Sequence, residues 1–341
     1  MKVRDPQRPL TSRDLARVVG VSQSAVSRAF TPGASISPAL RQRILSAADT
    51  LGYSPNAIAS TLSRQKSNIV GIVVSEMRNP FFAALFERLS RKLQTHQRQS
   101  LIFNVTPGSD MKQQLAALRQ YNVDAVVIIS ATALSGAALA WAAEGRSAVL
   151  INRTIADADL ATVCCNNVEG ARAIADHFYK QGYRRVAYVA GLPHTTTNID
   201  RRHGFISRAA ELGMVLTANL VAGEYSYEAG YEMAIEIANA TETDAVFFAN
   251  DLLAIGGMDA FRDRLGLAVP DQIGLAGFDD IEMAGWSHYA LTTIRQPIEA
   301  IVQRTVALLL EQDGEGSAST PATIIPGELI VRRSTARGQA V

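Results

Sequence analysis

The chain has 341 residues, 48% hydrophobic and 19% charged, an ordinary globular composition with length for a small domain plus one or two larger ones. The net charge is only +1, yet residues 1–66 hold ten Lys/Arg against three Asp/Glu, so a head of +7 precedes a body of −6. No run of about 18 apolar residues exists and no apolar stretch follows the N-terminal charges, which argues against a membrane span or a secretory signal and for a reducing cytoplasm.

The first predicted helix opens at Thr11, which with Asp14 makes a capping-box pattern. Leu15, Val18 and Val19 are its expected apolar face, and Gly20 permits a tight turn. Ser22 caps a second helix, with Ala25, Val26, Ala29 and Phe30 on one stripe. Gln23, Ser24, Ser27 and Arg28 fall on the opposite face, where they suit base edges and phosphates in a DNA major groove. A solvated amphipathic pair would show the same spacing. The basic charge of the head favours DNA.

A third helix starts at Ser37–Pro38 and stops at Gly52, with Leu40, Ile44, Ala47, Ala48 and Leu51 as its core stripe. Ser54–Pro55 then reads as another cap, followed by Asn56–Ser63 with Ile58, Ala59 and Leu62 on one side. About eight residues are too few for a stable isolated helix, so this one is expected to form only against a partner or on DNA. A plain linker is the alternative.

From Asn68 onward, apolar runs alternate with helical patterns. Strands are predicted at Ile69–Val74, Ser100–Asn104, Ala125–Ile129, Ala148–Ile151, Val186–Ala190, Ala245–Ala249 and Ile273–Gly277. Helices are predicted at Phe81–Thr95, Lys112–Gln120, Val168–Gln181, Asp200–Leu212, Tyr227–Asn239 and Asp251–Arg264. Such alternation means parallel sheets covered by helices, here two α/β lobes with a boundary near Ile151–Asn166. Ile298–Glu311 and Thr323–Ile325 are expected to return to the first lobe, and Gly314–Thr320 reads as an exposed loop.

Ligands of such sheets bind at the carboxyl ends of strands. Ser75–Phe82, Ser130, Asn152–Arg153, Asn250–Asp251 and Asp279–Asp280 fall there, and Arg201 opens a helix in the second lobe. Amides, carboxylates and arginine beside Phe81, Phe82 and Tyr225 suit a small polyhydroxylated ligand such as a sugar. Singly, Asn250 or Asp279 would serve equally well as a helix or turn cap. Cys164–Cys165 without a C-x-x-C, and five scattered histidines without an H-E-x-x-H, give no reason to expect a metal or cofactor.

Several ordered motifs, SRDLARVVGVSQSAVSR, ALRQRILSAADTLGYSPNAIASTL, VGIVVSEMRNPFF, INR, RRHGF, FFANDLLAIGGMDAF and GLAGFDDIEMA, resemble the lactose-repressor (LacI/GalR) family of bacterial transcription regulators from about Thr11 to Ser334. The resemblance implies an all-α helix-turn-helix head joined by a hinge helix to a two-lobed α/β periplasmic-binding-protein-like body with parallel sheets. On this plan residues 1–10 extend before the fold, 11–53 form the head and 54–67 the hinge helix and linker. Residues 68–341 bind effector and dimerise, with one lobe at about 68–163 plus 296–334 and the other at about 164–295.

Gln23 and Ser24 would open the base-reading helix, with Arg28 outward and Ser22 and Ser27 on phosphates; Thr11 and Tyr53 complete that set. Asn56 and Ala59 would lie at the minor groove, and Leu62 would wedge between central base pairs. Phe82, Arg201, Tyr225, Asn250 and Asp279 would line the effector cleft, with Phe81, Ser130 and Asn152 beside them. Homodimers, or pairs of dimers, would bind near-palindromic double-stranded operators. The effector would be a carbohydrate or a sugar acid, acting as inducer or corepressor.

The sequence departs from the family at the loop Thr31–Ser35 and at Asn166–Asn167, where Asp-Asn is usual. Two other classes compete. A secreted sugar-binding protein lacks a basic head, and an α/β enzyme would need a nucleotide loop or a nucleophile–base pair, whereas neither G-x-G-x-x-G nor a P-loop occurs. The expected activity is therefore non-enzymatic.

Overall fold

A computed structural model describes residues 10–31, 33–55, 66–74, 77–105, 111–129, 135–154, 160–240, 242–312 and 322–337. Contacts divide the chain into two compact units, Met1–Ser67 and Asn68–Val341. The hinge helix expected at Asn56–Ser63, with Asn56, Ala59 and Leu62, lies outside the described residues, as does Ser130.

The first unit contains α1 (Ser12–Val19), α2 (Gln23–Ala29) and α3 (Pro38–Leu51). Each start carries its cap: Thr11 and Asp14 close a reciprocal capping box, and the hydroxyls of Ser22 and Ser37 accept from Ala25 N and Leu40 N. Gly20 and Gly52 end α1 and α3 in the left-handed conformation, at φ 72° and 64°. Leu15, Ala16, Ala25, Val26, Ala29, Ile44 and Ala48 form the core. Burying a Leu or Ile of this kind stabilises by ~1.5–3 kcal/mol. Val18 corrects the expectation, because it is 64% exposed. At 100° per residue, Leu15, Ala16 and Val19 share a face from which Val18 is rotated away.

The second unit has two parallel sheets. The larger contains β1 (Ile69–Val74), β2 (Gln99–Asn104), β3 (Ala125–Ile129), β4 (Ser147–Ile151), β5 (Ala161–Cys165) and β11 (Thr323–Ile325), in the order β11-β5-β4-β3-β1-β2. The smaller contains β6 (Arg185–Ala190), β7 (Val215–Val221), β8 (Ala245–Phe248) and β9 (Gly274–Ala276), in the order β7-β6-β8-β9. β10 (Thr293–Arg295) and β12 (Glu328–Ile330) form a separate antiparallel pair. The helices are α4 (Pro80–Thr95), α5 (Met111–Gln120), α6 (Ser135–Ala143), α7 (Asn167–Lys180), α8 (Thr196–Glu211), α9 (Tyr227–Ala240), α10 (Asp251–Asp259) and α11 (Ile298–Glu311).

Strands β3 and β8 are wholly buried and correspondingly apolar throughout, as strands covered on both faces must be. The C-terminal part returns to the first lobe: α11 packs on α4, and β11 pairs with β5. The chain therefore passes between lobes at Asn166, at Gln296–Pro297 and at 326–327. Strand β5 falls inside the stretch expected to be only a lobe boundary, and it belongs to the first sheet. Helix α10 is shorter than predicted, because Ala260–Arg264 widens into a π-type turn. No helix among the described residues is long and apolar enough to cross a membrane.

Candidate functional site: a cleft in the body and a polar face on the head

In the body, Asn79, Phe82 and Asn152 of the first lobe meet Thr197, Arg201, Tyr225, Asn250 and Asp279 of the second around one cavity of about 20 Å³. Backbone geometry aims these side chains. Asn79 caps α4, its side-chain oxygen accepting from Phe81 N at 3.0 Å. Asn250 caps α10 in the same way, accepting from Leu253 N at 3.0 Å. Those caps hold each amide oxygen and turn the amide nitrogen elsewhere. Asn79 faces Asp279 across the cleft, and its amide opposes the rise of that carboxyl's pKa. Thr154 N donates to Thr196 Oγ1 at 3.3 Å, a direct link between lobes.

Arg201 lies 3.5 Å from Asp279 Oδ1, with both side chains 4% exposed. Its Nε donates to Asn167 Oδ1 at 2.8 Å and its Nη1 to Ala249 O at 2.6 Å. The guanidinium lies 3.7 Å from the Phe278 ring centroid. Asp279 also accepts from Gln296 Nε2 at 2.6 Å. Burial pushes the Asp279 carboxyl up, and Arg201 opposes that shift most strongly.

Behind it, Asp251 accepts from Thr293 Oγ1 at 2.6 Å and from Ile281 N at 2.9 Å. Burial first, and the neighbouring Asp279 charge second, push Asp251 up to about 7. Asp279 and Asp280 have φ of 124° and 58°, uncommon for residues other than glycine. Asp251 thus clamps a strained turn that sends Asp279 to the cleft, while Asp280 pairs with Arg295 at 2.7 Å and Arg332 at 2.6 Å.

Three buried polar atoms at or behind the cavity wall have no hydrogen-bond partner: Asn152 Oδ1, Asn250 Nδ2 and Gln296 Oε1. Unsatisfied buried groups are costly, about 1–3 kcal/mol each, and partners for these three would have to come from water or from a bound molecule. Tyr225 lies flat over Gly191, where a Cβ would come within 2.2 Å of its ring.

The sequence missed Thr197, and it held Asn79 only within the stretch Ser75–Phe82 without singling it out. Asn79–Pro80 is a cap and first-turn pair that could have been read, and Thr195 is the N-cap that starts α8 before Asp200. Phe81, expected in the site, is buried behind Phe82, with ring centroids 5.3 Å apart. Adjacent residues on a helix diverge by about 100°, so only one of the two rings faces the cleft. Cys164 and Cys165 are buried free thiols, held as such because burial pushes both up to about 12. No cluster of three or more metal-ligating side chains occurs among the described residues.

On the head, Gln23, Ser24, Ser27 and Arg28 line one shallow exposed surface of α2, opposite buried Ala25, Val26 and Ala29. Thr11 and Ser22 are engaged in caps, and Ser22 Oγ lies 2.9 Å from Ser24 Oγ. Tyr53 packs edge-on against Phe30 at 5.7 Å.

A helix-turn-helix unit followed by a two-lobed α/β body with a polar interlobe cleft defines the class of DNA-binding transcriptional regulators. Residues 11–56 match the family described as "Bacterial regulatory proteins, lacI family", and residues 175–335 match "Periplasmic binding protein-like domain". The chain is 30% identical to the HTH-type transcriptional regulator GalS of Salmonella typhimurium, over 95% of this chain and 96% of that one. It therefore belongs to the lacI family of bacterial regulatory proteins. Its fold is similar to that of the lac repressor dimer bound to operator and the anti-inducer ONPF, with a TM-score of 0.87 and 22% identity over 96% of this chain and 99% of that one. It is also similar to the CelR–cellobiose complex, with a TM-score of 0.71 and 24% identity over 96% and 100%.

Proposed function

We propose that this regulator is a repressor whose operator affinity is set by a small, neutral, polyhydroxylated effector held in the interlobe cleft. The observation that carries the reading is the charge balance of the cavity. Its one arginine, Arg201, already faces Asp279, while Asn79, Asn152 and Asn250 supply donors and acceptors without charge. Phe82 and Tyr225 add flat apolar faces. That mixture matches hydroxyl groups on an apolar ring, and it gives an anionic sugar acid no uncompensated cation. The cellobiose bound by CelR is a ligand of this kind.

A cavity of about 20 Å³ accommodates about one water, whereas ligand pockets run to ~300 Å³ and above. Binding therefore requires the lobes to part and then close on the ligand, separating Asn79 from Asp279 and breaking the Thr154–Thr196 hydrogen bond. In a homodimer on a near-palindromic operator, such a movement would alter the spacing of the paired segments 54–67 and hence the folding of the hinge helix. A coupling of about 1–3 kcal/mol changes operator affinity by roughly 5- to 150-fold.

The reading is tested by a thermal-shift screen of neutral sugars, sugar acids and nucleosides. Stabilisation by a neutral sugar is expected; stabilisation by acids alone would reassign the ligand class.

A further inference from the structure

Ser12 stands at the first position of α1, and Thr11, not Ser12, caps that helix. Its hydroxyl is thus available for other groups. Gln23 Nε2 donates to Ser12 Oγ at 2.8 Å, and the Tyr53 phenol lies near enough for Ser12 to oppose the rise that burial gives its pKa. The other end of the same amide is held as well, because Arg13 Nε donates to Gln23 Oε1 at 3.3 Å. Tyr53 is itself fixed: its N–H donates to Ala48 O at 2.8 Å and its ring abuts Phe30.

A glutamine amide is nearly symmetric in shape but opposite in hydrogen-bonding sense at its two ends. An exposed glutamine can present either end to a base. Here an acceptor-and-donor pair from α1 distinguishes the two ends: the hydroxyl of Ser12 receives the nitrogen, and the cationic Arg13 faces the oxygen. The exposed part of the amide consequently has a single polarity. Base pairs in the major groove differ in their order of donors and acceptors, so a fixed polarity favours some bases over others.

We propose that Ser12 is a positioning residue for base readout, holding the Gln23 amide in one orientation so that Gln23 discriminates at one base-pair position of each half-site. The proposal rests on the reading of Gln23 as a base reader.

The test uses the full-length protein in binding selections from a random duplex library, giving a base preference at every position. Gln23→Ala should flatten one position. Ser12→Ala should flatten that same position by about 2- to 12-fold, the worth of one neutral hydrogen bond, and leave the others as they were. Ser12→Thr, which keeps the hydroxyl, should restore the preference. Alanine is a good helix former, and a thermal melt of each variant verifies folding. If Gln23→Ala flattens one position while Ser12→Ala leaves it intact, or weakens all sequences equally, the positioning role is refuted and base reading by Gln23 stands. If Gln23→Ala flattens nothing, base reading by Gln23 fails and the positioning role fails with it.

Discussion

Removing the cation from the cleft gives the sharpest energetic test of the body. Arg201→Met keeps much of the side-chain volume but leaves Asp279 buried without its counter-charge and frees Ala249 O and Asn167 Oδ1. Breaking a buried pair from one side costs about 3–5 kcal/mol, which is a large part of a typical domain's stability. For a body of this size that corresponds to a fall in Tm of roughly 5–20 °C. Arg201→Met/Asp279→Asn should recover most of the loss, because no charge is then stranded. Burial holds the Asp279 carboxyl above its usual range, so the penalty in the single variant should shrink as the pH is lowered and that carboxyl takes up a proton. Urea unfolding of the wild type, both single variants and the double variant completes the cycle. A loss below about 1 kcal/mol in Arg201→Met, or a double variant no better than the single, would refute an energetically coupled pair.

Other substitutions probe separate links. Asp251 has its pKa raised by burial to about 7, so its contribution to stability is present below the ordinary carboxylate range and is lost as pH rises through about 7. Asp251→Asn should flatten the fall in unfolding free energy over that window, a slope of up to about 1.4 kcal/mol per pH unit, and an unchanged slope in urea titrations would count against this assignment. Gly191→Ala places a methyl group within 2.2 Å of the Tyr225 ring and should weaken effector binding in calorimetry without unfolding the body. Wild-type affinity would show that Tyr225 does not contact the ligand. Leu62→Ala should abolish specific operator binding in gel shifts while sparing effector binding, and undiminished operator affinity would make the segment only a linker.

What could be read beforehand follows from where each signal is generated. Caps are local, so Thr11–Asp14, Ser22 and Ser37–Pro38 marked the head's helices from the sequence. Central strands such as β3 and β8 are buried on both faces and stood out as unbroken apolar runs. Strand β7 was invisible because it lies at an edge, is half solvated and carries Asn219. Strand β5 was missed because ATVCC holds only one Val and one Thr of the residues that favour strands, where β3 is AVVII. In the cleft, residues just after strands, Asn152, Asn250 and Asp279, were legible from the rule that such sheets bind ligands at their carboxyl ends. Gln296 was not legible, and Asp251, placed at the same strand ends, gave no sign of its role behind Asp279, because the partners Asp279 and Thr293 arrive from distant segments that only the folded lobes bring together.

Whether cleft occupancy controls DNA binding is measured most directly by operator titration in fluorescence anisotropy, with and without a neutral sugar that stabilises the protein. A 5- to 150-fold change in operator Kd, in either direction, is the expected result. A sugar that binds the body yet leaves the operator Kd unaltered would contradict the coupling of the cleft to DNA.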